Sequence, residues 1–354
     1  MDIEERIEYI LKPPTEEVIT KNELKELLET NSKPYAYDGF EPSGLAHLGS
    51  GLLRAIKLKD MLKAGVRFKI YIADWFAWIN NKMGGDLEKI KLAGEYLIEA
   101  WRACGIDTSH IEIVWASEFA SDREYWKKVI NIAKITTIKR ILRCCTIMGR
   151  CEKEMLYTAQ LFYPAMQAAD PFHLGVDILQ LGMDQRHATI LSREVAEKLG
   201  WKKPVCVHHH LLIGLQNPER MGKEFEAKMS KSKPTNAIFI HDSAEVVKQK
   251  VMNAYCPAKI VEQNPVLEIC KYIIFRKVKE MEIERPAKYG GNVSYASYEE
   301  LEKDYEGGKL HPLDLKMGVA RYLNVILDPI RGYFESNKRA KEIYEKVKSF
   351  CVSS

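Results

Sequence analysis

Two clusters of residues in this 354-residue chain are suited to handling a phosphate. The first runs Tyr37-Asp38-Gly39-Phe40-Glu41-Pro42-Ser43-Gly44-Leu45-Ala46-His47-Leu48-Gly49-Ser50-Gly51. Gly44, Gly49 and Gly51 free the backbone for a tight turn and for close approach of a ligand. A helical pattern begins at once, so unpaired N–H groups at its mouth would favour an anion, and His47 adds a donor there. The second cluster is Lys228-Met229-Ser230-Lys231-Ser232, followed by Lys233-Pro234. Ammonium groups in a polar loop can follow charge as it builds on a leaving pyrophosphate. Either cluster alone has a plainer reading, a punctuating turn or a solvated basic loop. Together, at opposite ends of one alternating pattern, they point to a triphosphate site.

A third constellation is Tyr163, Gln167 and Asp170, spaced i, i+4, i+7 and therefore on one face of a helix. Gly182-Met183-Asp184-Gln185-Arg186 follows an apolar run, where strands of an open α/β sheet present their ends to ligands. Structural alternatives exist for each: Tyr37 as strand core, Tyr163 as a packed helix face, Asp170 as a cap before Pro171. Two features are set aside. His208-His209-His210 are neighbours that cannot all face one ion, so no metal site is expected. Tyr71 to Asn80, rich in aromatics, reads as a sheet end packing near the third constellation.

The elements that must position these residues alternate. Strand-like runs are Tyr35 to Gly39, Phe68 to Ala73, Ile111 to Ala116, Val176 to Leu181 and Val205 to Val207, separated by amphipathic stretches Ser50 to Ala64, Leu87 to Cys104 and His187 to Leu199. This is the α/β pattern of a doubly wound, Rossmann-type parallel sheet. Residues 1–34 read as a helical lead-in, with Thr20 and Glu23 forming a capping box. Residues 35–235 read as the catalytic domain, with a helical insertion at about 120–160. Residues 236–354 read as an all-helical C-terminal domain. Within the insertion, Lys127 to Arg143 holds six basic residues and no carboxylate, either a solvated helix face or a polyanion contact. Eight scattered cysteines without a C-x-x-C pair suggest reduced thiols. No apolar run is long enough to span a bilayer and the N-terminus does not resemble a signal peptide, so a cytoplasmic protein is expected.

The chain resembles the class I aminoacyl-tRNA synthetases, whose signatures read HIGH and KMSKS. The second is matched letter for letter and the first as His47-Leu48-Gly49-Ser50, with Ser50 in place of the second histidine. The segments around Ala36 to Gly44, Tyr163 to Asp170 and Gly182 to Arg186 resemble the archaeal and eukaryotic tyrosyl branch. The resemblance implies that Tyr37 and Asp170 hold a substrate phenol, which offers one donor and one acceptor. It implies that Tyr163, Gln167 and Gln185 hold the amino and carboxylate end. Gly44, His47, Gly49, Gly182, Asp184, Lys228 and Lys231 would meet ATP, with Mg²⁺ accompanying it and no tightly bound cofactor. His47, Lys228 and Lys231 would be catalytic. Lys139, Arg140 and Arg143 would contact the tRNA acceptor stem, and Tyr289 and Asp314 the first anticodon base. The implied partners are L-tyrosine, ATP, tRNA(Tyr) and a second copy of the chain. A tryptophanyl enzyme and a non-catalytic RNA-binding relative are the alternatives. Asp170 argues against the first, and retention of His47 and both lysines against the second.

Overall fold

The computed structural model describes residues 1–148, 157–217, 228–231 and 233–352. Its centre is a six-stranded sheet of β1 (Thr15–Ile19), β2 (Tyr35–Phe40), β3 (Arg67–Ile72), β4 (Glu112–Trp115), β5 (Ile178–Gly182) and β6 (Val205–His209), in the order β1-β6-β5-β2-β3-β4. The five expected strands are parallel neighbours. The order reverses between β2 and β5, and a crevice opens at such a switch point, beyond the carboxyl ends of both strands.

One strand escapes the sequence pattern. The lead-in is not wholly helical: β1 lies between α1 (Ile3–Leu11) and α2 (Lys21–Thr30) and pairs antiparallel with β6. Its sequence, Thr-Glu-Glu-Val-Ile, lacks an apolar alternation, because an edge strand takes its order from the partner's backbone. The Thr20–Glu23 capping box is present at the start of α2.

Strand alternation divides the core into two layers. Ala36, Phe68, Ile70, Ile178, Val205 and Val207 pack into one cluster, with α3 (Arg54–Lys63) and α5 (Leu87–Ala103). Tyr37, Tyr71, Leu179, Leu181 and Cys206 pack into the other. That second layer joins the short α4 (Asp74–Ile79), α6 (Arg123–Ile135), α7 (Ile138–Cys144), α8 (Thr158–Leu174) and α9 (Arg186–Leu199). The expected insertion therefore contains α6 and α7; residues 149–156 lie outside the described residues.

The C-terminal region is helical: α10 (Ala244–Asn253), α11 (Pro265–Ile269), α12 (Tyr298–Glu306), α13 (Pro312–Ser336) and α14 (Lys338–Val352). It also carries one short hairpin, β7 (Met281–Ile283) with β8 (Val293–Tyr295), which three-residue strands do not announce in sequence. Its buried residues, from Val247 to Val347, join the first core layer without a break.

Candidate active site

The turn after β2 is built by what its residues cannot be. Gly44 has φ +125°, in the region that disfavours side chains. Ala46 and Leu48 pair with the segment after the lysine loop: the Leu48 N–H donates to Ile238 O (2.9 Å) and the Ile240 N–H to Ala46 O (3.1 Å). A Cβ on Gly51 would lie 3.1 Å from Ile240, so glycine permits that approach. Gly49 to Leu53 form one wide helical turn that runs into α3. The His47 N–H donates to Ser50 Oγ (3.1 Å), which gives the departing fourth letter of the signature a structural task. Burial, with Lys231, Arg54 and Lys228 nearby, pushes the His47 imidazole down to about 3. The ring is therefore neutral. Its Nδ1 accepts from the Gly49 N–H (3.1 Å), which leaves the proton on Nε2 as a donor.

The lysine loop closes on this turn and on the end of β5. Lys231 Nζ donates to Ser43 Oγ (3.1 Å), and Lys228 Nζ pairs with Asp184 Oδ2 (2.7 Å). Ser232 lies outside the described residues. Burial works to raise the Asp184 carboxyl, but the charge and hydrogen bond of Lys228, with Arg54 and Gln185, together outweigh it and hold the group below its usual range. A Cβ on Gly182 would fall 2.7 Å from Asp184 Oδ1 and 2.8 Å from Leu211, so any side chain here would have to displace both.

On the other face of the sheet, Tyr163, Gln167 and Asp170 share one face of α8, as their spacing predicts. Asp170 is 1% exposed, and its Oδ1 accepts from the hydroxyls of Tyr71 (3.3 Å) and Tyr125 (3.0 Å). It therefore does not cap a turn. Burial raises its carboxyl well above the ordinary range, against the two hydroxyl donors. Tyr37 is buried beside them, its ring edge-on to Tyr71 at 6.2 Å, and burial with the field of Asp170 raises its hydroxyl. Gln167 Nε2 donates to Gln185 Oε1 (3.0 Å), and Gln185 Nε2 to Ile147 O (3.2 Å). Gln167 Oε1 is buried with no partner among the described residues. The Tyr163 hydroxyl donates to Glu41 (2.5 Å), which also accepts from Asn80 (3.3 Å). The carboxyl ends of the central strands thus carry an acid-and-phenol cluster on one side of the sheet and a cationic turn on the other.

The family described as tRNA synthetases class I (W and Y) matches residues 29–328. The chain belongs to the class I tRNA synthetases. Among its relatives, the tyrosine–tRNA ligase of Thermococcus kodakarensis is 49% identical over 98% of this chain and 99% of that protein. The tyrosine–tRNA ligase of Sulfurisphaera tokodaii is 51% identical over 98% and 97%. The structure of tyrosyl-tRNA synthetase complexed with L-tyrosine from Pyrococcus horikoshii superposes with a TM-score of 0.90, at 46% identity, covering 98% of this chain and all of the other.

In this synthetase the residues expected to face RNA divide. Lys139 and Arg143 are exposed on α7, with no carboxylate paired to them among the described residues. Arg140 is engaged within the protein: its guanidinium donates to Glu194 (3.0 and 3.2 Å) and to His187 O (3.3 Å). Tyr289 is 61% exposed, with Lys288 Nζ 4.8 Å from its ring centre. Arg285 ties that loop to Gly291 O (2.9 Å) and to Lys309 O (3.0 Å), close in sequence to the start of α13. Asp314 sits in the first turn of α13 but is not the cap, because His311 Nδ1 takes that place by accepting from the Leu313 N–H.

The three neighbouring histidines go three ways. His208 bonds Glu17 and Thr189, His209 bonds Gln180, and His210 lies between Glu16 and Glu268. Tyr71, Tyr125, Glu41 and Ser43 are the polar neighbours that sequence reasoning did not single out. Strand alternation places Tyr71 on the face of Tyr37. Nothing in the sequence relates Tyr125 to Asp170, 45 residues on.

Proposed function

We propose that the chain joins L-tyrosine to tRNA(Tyr) in two steps at this cleft, in the cytoplasm. A tyrosine carboxylate oxygen attacks the α-phosphorus of ATP; the bond to the bridging oxygen breaks and pyrophosphate leaves. A ribose hydroxyl of the terminal adenosine of the tRNA then attacks the tyrosyl carbonyl, loses its proton, and AMP leaves. The observation that carries this reading is the buried Asp170, with two tyrosine hydroxyls fixed on Oδ1 and Tyr37 alongside. Oδ2 can then meet a phenol hydroxyl, a group that an indole ring does not have. Gln167 Oε1, buried without a partner among the described residues, suits the substrate ammonium, with Tyr163 and Gln185 beside it.

For the chemical step, the neutral His47 offers Nε2–H to the phosphates, and Lys228 and Lys231 stabilise charge on the departing pyrophosphate. Gly44, Gly49 and Gly182 let backbone approach the nucleotide, with Asp184 at the ribose. Mg²⁺ accompanies the triphosphate, whose oxygens are its usual ligands.

The division of labour we infer places catalysis in residues 35–235, behind the lead-in 1–34, and anticodon reading by Tyr289 and Asp314 in 236–354. Lys139 and Arg143 contact the acceptor stem. The exposed apolar side chains Ile130, Ile138, Leu142, Tyr157 and Phe162 on and beside α6 to α8 support a homodimer interface. Among the described residues no helix is long and apolar enough to cross a membrane. Amino-acid-dependent ATP–pyrophosphate exchange across the twenty amino acids tests the reading. Tyrosine alone should support exchange; exchange with tryptophan in its place would replace the tyrosyl reading by the tryptophanyl one.

A further inference from the structure

The turn that holds His47 is tied to the C-terminal helices through two side chains outside both signatures. Tyr96, on α5 and fully buried, accepts from the backbone N–H of Ala46 (3.0 Å), the residue before His47. The same hydroxyl bonds His241 Nε2 (2.8 Å). Burial lowers the His241 imidazole to about 3, so the ring is neutral. The Tyr96 oxygen accepts from the Ala46 N–H, and the tautomer of His241 sets which partner donates in the second bond.

His241 is gripped from the far side. Its ring is stacked on Tyr344 of α14 (3.9 Å, 20°) and meets Phe334 of α13 edge-on (4.3 Å). Around it α13 holds the backbone directly: Arg331 Nε donates to Asp242 O (2.8 Å) and Asn324 Nδ2 to Ala244 O (3.1 Å). The Tyr333 hydroxyl donates to Glu99 on α5 (2.6 Å). Helix α13 has 25 residues, about 37 Å at 1.5 Å per residue, and Asp314 lies in its opposite end.

We propose that Tyr96 and His241 are positioning residues that carry the seating of α13 and α14 to the His47 turn and so set the rate of adenylate formation. The proposal rests on reading that turn as the phosphate site. The alternative is that the pair is packing alone, and a double-mutant cycle separates the two.

Tyr96→Phe keeps the ring against its neighbours and removes only the hydroxyl. Measured well below the melting temperature of each variant, kcat for pyrophosphate exchange should fall about tenfold with the KM for tyrosine unchanged. A residue acting through His47 has little left to do once the imidazole is gone. Tyr96→Phe added to His47→Asn should therefore cost less than about twofold more. Tyr344→Ala, which removes the stacked ring, should slow exchange, whereas Tyr344→Phe should leave it near parental. Parental kcat in Tyr96→Phe, or losses that add to those of His47→Asn, overturn the proposal and leave the phosphate reading standing. Parental kcat in His47→Asn overturns the phosphate reading itself. Equal rates for the two Tyr344 variants remove α14 from the relay.

Discussion

The two ends of the cleft are built on opposite plans. Around Asp170 the polar groups are buried and matched: two tyrosine hydroxyls hold Oδ1, and Tyr37 lies beside them. Around the lysine loop, part-exposed cations rest on partners that a nucleotide could displace, Lys228 on Asp184 and Lys231 on the Ser43 hydroxyl. The difference follows from what each end is proposed to do. Recognition of a hydroxyl needs a partner fixed before the substrate arrives, because a buried group left unpaired then penalises the wrong substrate. Stabilising a leaving group needs charge that can move with it, and a cation locked into a buried pair could not.

The sharpest way to break this contrast is to remove the fixed end. Tyr37→Leu with Asp170→Gly deletes the polar pair and opens space beyond the ring's para position. kcat/KM for tyrosine should fall about 10³, because two buried hydrogen bonds to a polar group disappear together. Para-substituted phenylalanines should gain relative to tyrosine in competition for adenylate formation. An undiminished preference for tyrosine over phenylalanine would mean that Asp170 does not face the phenol.

At the cationic end the expected loss is smaller and falls on a different constant. Lys231→Ala should slow the burst of adenylate about 10², with tyrosine affinity kept, since its charge matters as pyrophosphate departs. A parental burst would remove Lys231 from the chemistry. Smaller again is Asp314→Ala, which touches neither end. Aminoacylation of tRNA should weaken about tenfold while pyrophosphate exchange is untouched. Equal loss of both activities would make Asp314 structural.

How much of this was legible in the sequence depended on whether the partner was near in the chain. Tyr163, Gln167 and Asp170 share a face because 3.6 residues make a turn, and the strands β2 to β6 follow from short apolar runs. The glycine turn and the lysine loop were also readable, since backbone freedom and charge are properties of residue type. What was hidden came from long-range pairing. β1 is a strand only because β6 lies beside it. Tyr125 completes the Asp170 cluster from another helix, 45 residues away in the chain.

Arg140 shows the same limit, and it yields the finest test of fixed against available charge. In sequence it is one of three like cations on α7; in space it is the one engaged with Glu194 and His187 O, while Lys139 and Arg143 face outward. Removing one cation that neutralises an RNA phosphate should flatten the dependence of log K on log salt by about 0.7–0.9. Lys139→Ala and Arg143→Ala should each show that change in tRNA binding, with little effect on thermal stability. Arg140→Ala should leave the slope alone and lower the melting temperature slightly, because it removes the anchor between α7 and α9, whose Glu194 end is exposed. A filter-binding titration from low to moderate salt, paired with a melting curve for each variant, reads both quantities. If Arg140→Ala flattens the slope as much as its neighbours do, the Glu194 pair opens for RNA, and Arg140 belongs with Lys228 and Lys231 among the cations held by exchangeable partners.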